Sequence, residues 1–92
     1  MKYEIVLVLD AESDDLQTEN EIKIVQEYLE KNCSSVNIIK WGKRKLAYPI
    51  KRRKHGEYTI FEFETDKNTV VEELERNFRI NEKVLRYLSV KC

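Results

Sequence analysis

Glycine and proline are almost missing from this 92-residue sequence, which holds only Gly42, Gly56 and Pro49. Long flexible linkers are thereby excluded. So is a glycine-rich phosphate loop, which needs several residues without a Cβ so that backbone N–H groups can close on an anion. Cysteine is as scarce. Cys33 and Cys92 stand far apart, without CxxC or Cys/His spacing, so the sequence offers neither a metal-ligand set nor a disulfide framework. Both read as reduced thiols against a cytosolic background. The one histidine, His55, has no serine, cysteine or aspartate arranged around it that sequence can establish, and reads as a solvated loop residue. Paired acids such as Asp14–Asp15 and Glu72–Glu73 fit solvated helix faces better than paired catalytic carboxylates. No long hydrophobic run occurs either. The opening MKYEIVLVLDAESDD has a short apolar stretch followed at once by acids, with no cleavage pattern and no span of about 18 apolar residues. The expectation is a soluble cytosolic protein without catalytic residues, cofactor, metal, membrane partner or small-molecule substrate.

What is present is a balanced composition, 41% hydrophobic and 37% charged, with aromatic and β-branched residues spread along the whole chain. That supports one folded domain, residues 1–92, with one modest core. The net charge of zero conceals an asymmetry. Residues 40–54, KWGKRKLAYPIKRRK, hold eight bases and no acid (Lys40, Lys43, Arg44, Lys45, Lys51, Arg52, Arg53 and Lys54). All 17 acids therefore lie outside this segment, against nine bases. Lysines commonly protect an edge strand, but eight bases without one acid exceed that need. Phosphate contact is the better reading.

The periodicities give the elements. Tyr3, Ile5, Leu7 and Leu9 alternate with Glu4, Val6 and Val8, a strand nearly apolar on both faces. Asp10–Asp15 connects it to a helix for which Ser13 is a candidate N-cap. From Leu16 to Asn32, Ile22, Val25, Tyr28 and Leu29 recur at helical spacing. A second strand begins at Val36–Ile39, bulges at Gly42, and resumes through Leu46, Tyr48 and Ile50, with Pro49 marking an edge or a bulge. Lys51–Gly56 reads as a basic hairpin loop. The third strand, Tyr58–Thr65, sets Thr59, Phe61 and Phe63 on one face and Tyr58, Ile60, Glu62 and Glu64 on the other. Asp66 is positioned to cap a second helix whose stripe is Val70, Val71, Leu74 and Phe78. Asn81 marks a turn, and Val84–Lys91 forms the last strand.

The order β-α-β-β-α-β predicts an α+β, ferredoxin-like sandwich: a four-stranded antiparallel sheet with two helices on one face. Helices of this number cover one sheet face only. Val6, Val8, Tyr58 and Ile60 are the candidates for the open face, either as a partner-binding patch or as scattered surface hydrophobes. Stacking of bases on this sheet in the manner of an RNA-recognition motif is not expected from EYTIFEFE. Its glycine and leading base are missing, and Phe61 and Phe63 belong to the core.

The segment WGKRKLAYPIKRRKHGEY resembles the signature of the bacterial small-subunit ribosomal protein six family, a W/L-G-x-R-x-L-A-Y-x-I pattern ahead of a basic hairpin. The opening Lys2-Tyr3-Glu4 and the close LERNFRINEKVLRYLSVK extend the resemblance over nearly the whole chain. The resemblance implies a non-catalytic component of the cytoplasmic small ribosomal subunit. It also implies binding to the central domain of small-subunit ribosomal RNA, as a pair with small-subunit ribosomal protein eighteen. The bases expected to meet RNA are Lys43, Arg44, Lys45, Lys51, Arg52, Arg53, Lys54 and Arg86; Arg79 also matches a basic position of the family. Relatives usually run past the last strand into a tail that adds partner or RNA contacts, whereas this sequence stops at Cys92. The rival readings are a protein-interaction module with no RNA role, which has no need of eight uncompensated bases, and a small hydrolase, which lacks a phosphate loop.

Overall fold

The computed structural model describes residues 1–12 and 15–92, with the side chain of Asp15 left aside; the candidate cap Ser13 lies outside the described residues. The elements follow the predicted order: β1 (Lys2–Asp10), α1 (Asp15–Asn32), β2 (Ser34–Ile50), β3 (Arg53–Glu64), α2 (Asn68–Ile80) and β4 (Val84–Lys91). The sheet order is β2-β3-β1-β4, and every pairing is antiparallel. This is the ferredoxin-like arrangement expected.

Alternation sorts the strands into two faces. Tyr3, Ile5, Leu7 and Leu9 of β1 join Phe61 and Phe63 of β3 against Ile22, Val25 and Leu29 of α1 and Val70, Leu74 and Phe78 of α2. All are buried, and Ile5, Leu29 and Phe61 are fully so. Tyr3 stacks on Phe63 with ring centroids 5.7 Å apart, and Phe78 meets Tyr87 at 5.5 Å. At about 1.5–3 kcal/mol for each fully buried large apolar side chain, this layer is the main source of stability.

Two local expectations are corrected. Asp66 does not cap α2: the N-cap residue is Lys67, with no side-chain bond to the helix end, while the exposed Asp66 carboxylate lies 3.8 Å from the N-terminal amine. Lys51–Gly56 is not an open loop. The strands turn on Lys51 and Arg52 alone, and β3 already pairs at Arg53 with Ile50. Gly42 does sit at a bulge, with φ +87° and a register shift between Lys40 and Gly42. Pro49 is on edge strand β2, inside a second irregularity between Lys45 and Ile50.

Tyr28 ties the helices by donating a hydrogen bond to Glu73 Oε2 at 2.8 Å. Burial, reinforced by that acceptor and its charge, pushes the phenol up to about 12. A phenol raised in the folded state stabilises fully below its ordinary value near 10 and loses that contribution as pH climbs towards 12. Tyr28→Phe is expected to cost up to about 1 kcal/mol at neutral pH and to flatten the loss of stability above about pH 10. Thermal unfolding of both chains across that range checks it.

Candidate functional site

The β2–β3 hairpin carries the basic run, and its geometry divides the bases by task. Lys43, Arg44 and Lys45 are exposed on β2, opposite Glu57, Gly56 and His55. Arg52 stands exposed at the turn. None of these four has a side-chain partner among the described residues. The others are engaged. Lys51 Nζ donates to the Val84 carbonyl at 3.0 Å, which pins the turn to the start of β4. Arg53 Nε lies 3.0 Å from Asp10 Oδ2, a largely buried carboxylate at the end of β1. The backbone N–H of Lys54 donates to Glu12 Oε2 at 3.3 Å, leaving its ammonium free for solvent. The Arg86 guanidinium lies over the Tyr48 ring, 5.8 Å from its centroid.

Lys51 and Arg52 have φ of +50° and +66°. Two consecutive left-handed residues make the turn type expected of a two-residue hairpin, normally built from Asn and Gly because Cβ disfavours the conformation. Here two long bases occupy it. Arg52→Gly is expected to stabilise the fold by about 0.5–1 kcal/mol, the relief of left-handed strain less glycine's backbone entropy. Thermal unfolding of the variant beside the parent checks it.

The end of the hairpin curls over the sheet face opposite the helices. Leu46, Val8 and Leu85 bury one another there, with Ile50 and Tyr58 at the margin. Gly56 makes this possible, because a Cβ at that position would stand 2.5 Å from Val8 Cγ1 and 3.3 Å from Leu46 Cδ2.

Beside this small cluster the open face is organised in rows across the sheet. Asn37, Glu62, Glu4 and Val90 align at one end; Ile39, Ile60, Val6 and Leu88 form the middle row; Gly42, Tyr58, Val8 and Arg86 form the row nearest the hairpin. Val6, Val8, Tyr58 and Ile60 are thus on the face anticipated, but not equally available. Val8 and Ile60 are buried, at 4% and 7% exposure, so they form the floor rather than the contact surface. The side chains that project are Leu88, Val90, Ile39 and Trp41, none of which was singled out from sequence. Leu88 and Val90 alternate visibly with Tyr87 and Ser89; only the β1–β4 register shows which pair faces outwards. Trp41 is placed by the bulge at Gly42 and stacks on Tyr58 with centroids 6.4 Å apart.

Among the described residues no group of histidine, cysteine and acidic side chains could hold a metal ion. Burial pushes the Cys33 thiol up, against the opposing effects of its hydrogen bond with Thr65 and the charge of Lys67. His55 is exposed on β3 beside Lys45. No described helix is long and apolar enough to cross a membrane.

Comparison with known proteins gives the class: a non-enzymatic ribosomal protein of the small subunit, located on the cytoplasmic ribosome. The model of a family described as ribosomal protein S6 matches residues 2–91. This chain belongs to the ribosomal protein S6 family. It is 37% identical over 91 residues to small ribosomal subunit protein bS6 of Syntrophobacter fumaroxidans, covering 98% of this chain and 61% of that relative. Against bS6 of Caldanaerobacter subterraneus the identity is 38% over 93 residues, covering 97% of this chain and 94% of the relative. The crystal structure of 30S ribosomal protein S6 from Thermotoga maritima superposes with a TM-score of 0.88 at 25% identity, covering 99% of this chain and 86% of that one.

Proposed function

We propose that this protein binds the central domain of small-subunit ribosomal RNA together with small-subunit ribosomal protein eighteen. The observation that carries the reading is the division of one surface, with bases lacking acidic partners on the hairpin and exposed apolar side chains on the sheet face beside it. Lys43, Arg44, Lys45, Arg52 and Lys54 are the phosphate contacts. Lys51 and Arg53 act mainly by fastening the hairpin to β4 and β1, and Arg86 adds a cation at the border. Val6, Ile39, Leu88 and Val90, over a floor of Val8 and Ile60, dock the protein partner, with Tyr58 at the margin.

Phosphate contacts available to the chain alone are few, so its solitary affinity is weak. A partner that covers the apolar rows and brings its own bases adds contacts while the two bind as one body. The pair is expected to bind at least tenfold more tightly than either protein alone, about 1.4 kcal/mol of coupling. The test is a calorimetric titration of the RNA with this chain, with the partner, and with both. Equal affinities would remove the joint binding, and tight solitary binding would make the hairpin sufficient by itself.

A further inference from the structure

The open face is not uniform, and its hairpin end has a chemistry that apolar docking does not use. Trp41 is 53% exposed and Tyr48 54% exposed, an unusual cost for two large aromatic rings on a small domain. Trp41 lies over Tyr58 at an interplanar angle of 25°, so the pair presents a broad, nearly flat π surface. Tyr58 and Arg86 then line one open depression of about 370 Å³ with Val6, Val8 and Leu88. Arg86 in turn covers the Tyr48 ring. Two π groupings therefore stand at this end of the face, Trp41 on Tyr58 across β2 and β3, and Arg86 of β4 on Tyr48, with Val8 of β1 between them.

Charge separates this end from the rest of the face. Arg86 closes the row on β4 and Arg44, opposite Gly56, stands exposed on the same face, whereas Lys40 and Lys43, which flank the Trp41–Gly42 bulge in sequence, lie on the helix side of the sheet. The nearer acids of the open face on that side, Glu4 and Glu62, lie two rows away, about 13 Å at strand rise, and Glu64 lies a row further. Beyond the row on the other side, Asp10 is held by Arg53 at 3.0 Å. A protein segment would find aliphatic side chains and acids at the far end. At the hairpin end it would meet bare aromatic rings among cations, the combination that holds an unpaired nucleobase between a π face and a phosphate contact.

We infer that Trp41, backed by Tyr58 and bordered by Arg86, is a stacking platform for an unpaired base of single-stranded RNA. The inference rests on the RNA-binding reading and extends it. The hairpin bases hold phosphates and are indifferent to strandedness, whereas the platform needs a base out of its helix and so distinguishes an exposed base from a paired one. The expectation that this sheet does not stack bases holds for Phe61 and Phe63, which are core. The platform comes instead from β2 and its bulge.

Trp41 is the sole tryptophan, so its emission reports contact directly. The full chain is titrated with fluorescein-labelled oligouridine and with a labelled blunt RNA duplex of equal length. Anisotropy reads binding and tryptophan emission reads stacking. The expected result is strong quenching by the single strand, little quenching by the duplex, and a loss of about tenfold or more in single-strand affinity for Trp41→Ala. Trp41→Phe should retain most of the affinity, and both variants should melt within a few degrees of the parent. Binding of the single strand, seen by anisotropy, with unchanged emission and unchanged affinity for Trp41→Ala overturns the platform and leaves the phosphate contacts standing. Failure of both RNAs to bind at low salt, with the chain alone and with the partner protein present, overturns the platform and the RNA-binding reading together. If small-subunit ribosomal protein eighteen shifts the emission without RNA, and Trp41→Ala weakens that protein's binding but not RNA's, Trp41 is a protein contact and the inference is wrong.

Discussion

Val8→Asp and Leu88→Asp will behave as opposites although their parent residues lie in adjacent rows of one sheet face. Val8 is buried under Leu46 and Leu85 at the end of the hairpin. Its row neighbour Arg86 has its guanidinium over the Tyr48 ring, and a carboxylate buried there without a partner costs about 3–5 kcal/mol, a large part of what holds a domain of this size together. Val8→Asp is therefore expected to be unfolded or nearly so at ordinary temperature. Ile60→Asp should follow it, since Ile60 is buried in the middle row. Leu88 is 59% exposed, and its replacement should move stability by less than about 0.5 kcal/mol. The same change puts a charge at the centre of the proposed partner surface and should cost at least tenfold in partner affinity. Circular dichroism melts and a partner titration on each variant read the contrast. A stable Val8→Asp chain would mean that the hairpin does not close over the face. An unfolded Leu88→Asp chain would mean that β4 is buried where it stands exposed here.

The second large effect concerns the free bases. Lys43, Arg44 and Arg52 have no side-chain partners among the described residues, so replacing all three with glutamine removes no internal contact. Stability should be nearly unchanged. Affinity of the pair for its RNA should fall by about tenfold or more, and by a similar factor for unrelated RNA, because phosphate contacts carry no sequence information. Arg53→Gln is the informative contrast. Arg53 is spent on Asp10 at 3.0 Å, so its loss should loosen the hairpin while changing the number of released counterions little.

Much of the fold was legible because two periodicities do not overlap. The β1 residues Tyr3, Ile5, Leu7 and Leu9 repeat every second position, and the α2 residues Val70, Leu74 and Phe78 every fourth, and each set forms one side of the same core. The hairpin was also visible, as a run of bases around Leu46–Ile50. What escaped depends on pairing between distant strands. Whether Val8 or Leu88 is covered is decided by how far the hairpin curls. That turns on the absence of a Cβ at Gly56 and on the irregularity between Lys45 and Ile50, features whose effect appears only with β1 alongside. The bases pose the same difficulty. Composition makes Lys51, Arg52 and Arg53 equivalent, yet the Val84 carbonyl engages the first and Asp10 the third. Both acceptors, the Val84 carbonyl and the Asp10 carboxylate, come from strands distant in sequence, and no local pattern reports them.

The central claim is that the hairpin holds RNA through phosphates. Its most direct measurement is the dependence of the pair's RNA affinity on salt between about 50 and 200 mM, for the native chain and for the Lys43, Arg44 and Arg52 triple variant. Each lost phosphate contact removes about 0.7–0.9 from the slope of log K against log salt. The account predicts a steep fall for the native pair and a slope shallower by about two to three for the variant. Equal slopes, or an affinity that is flat in salt for the native pair, would contradict it.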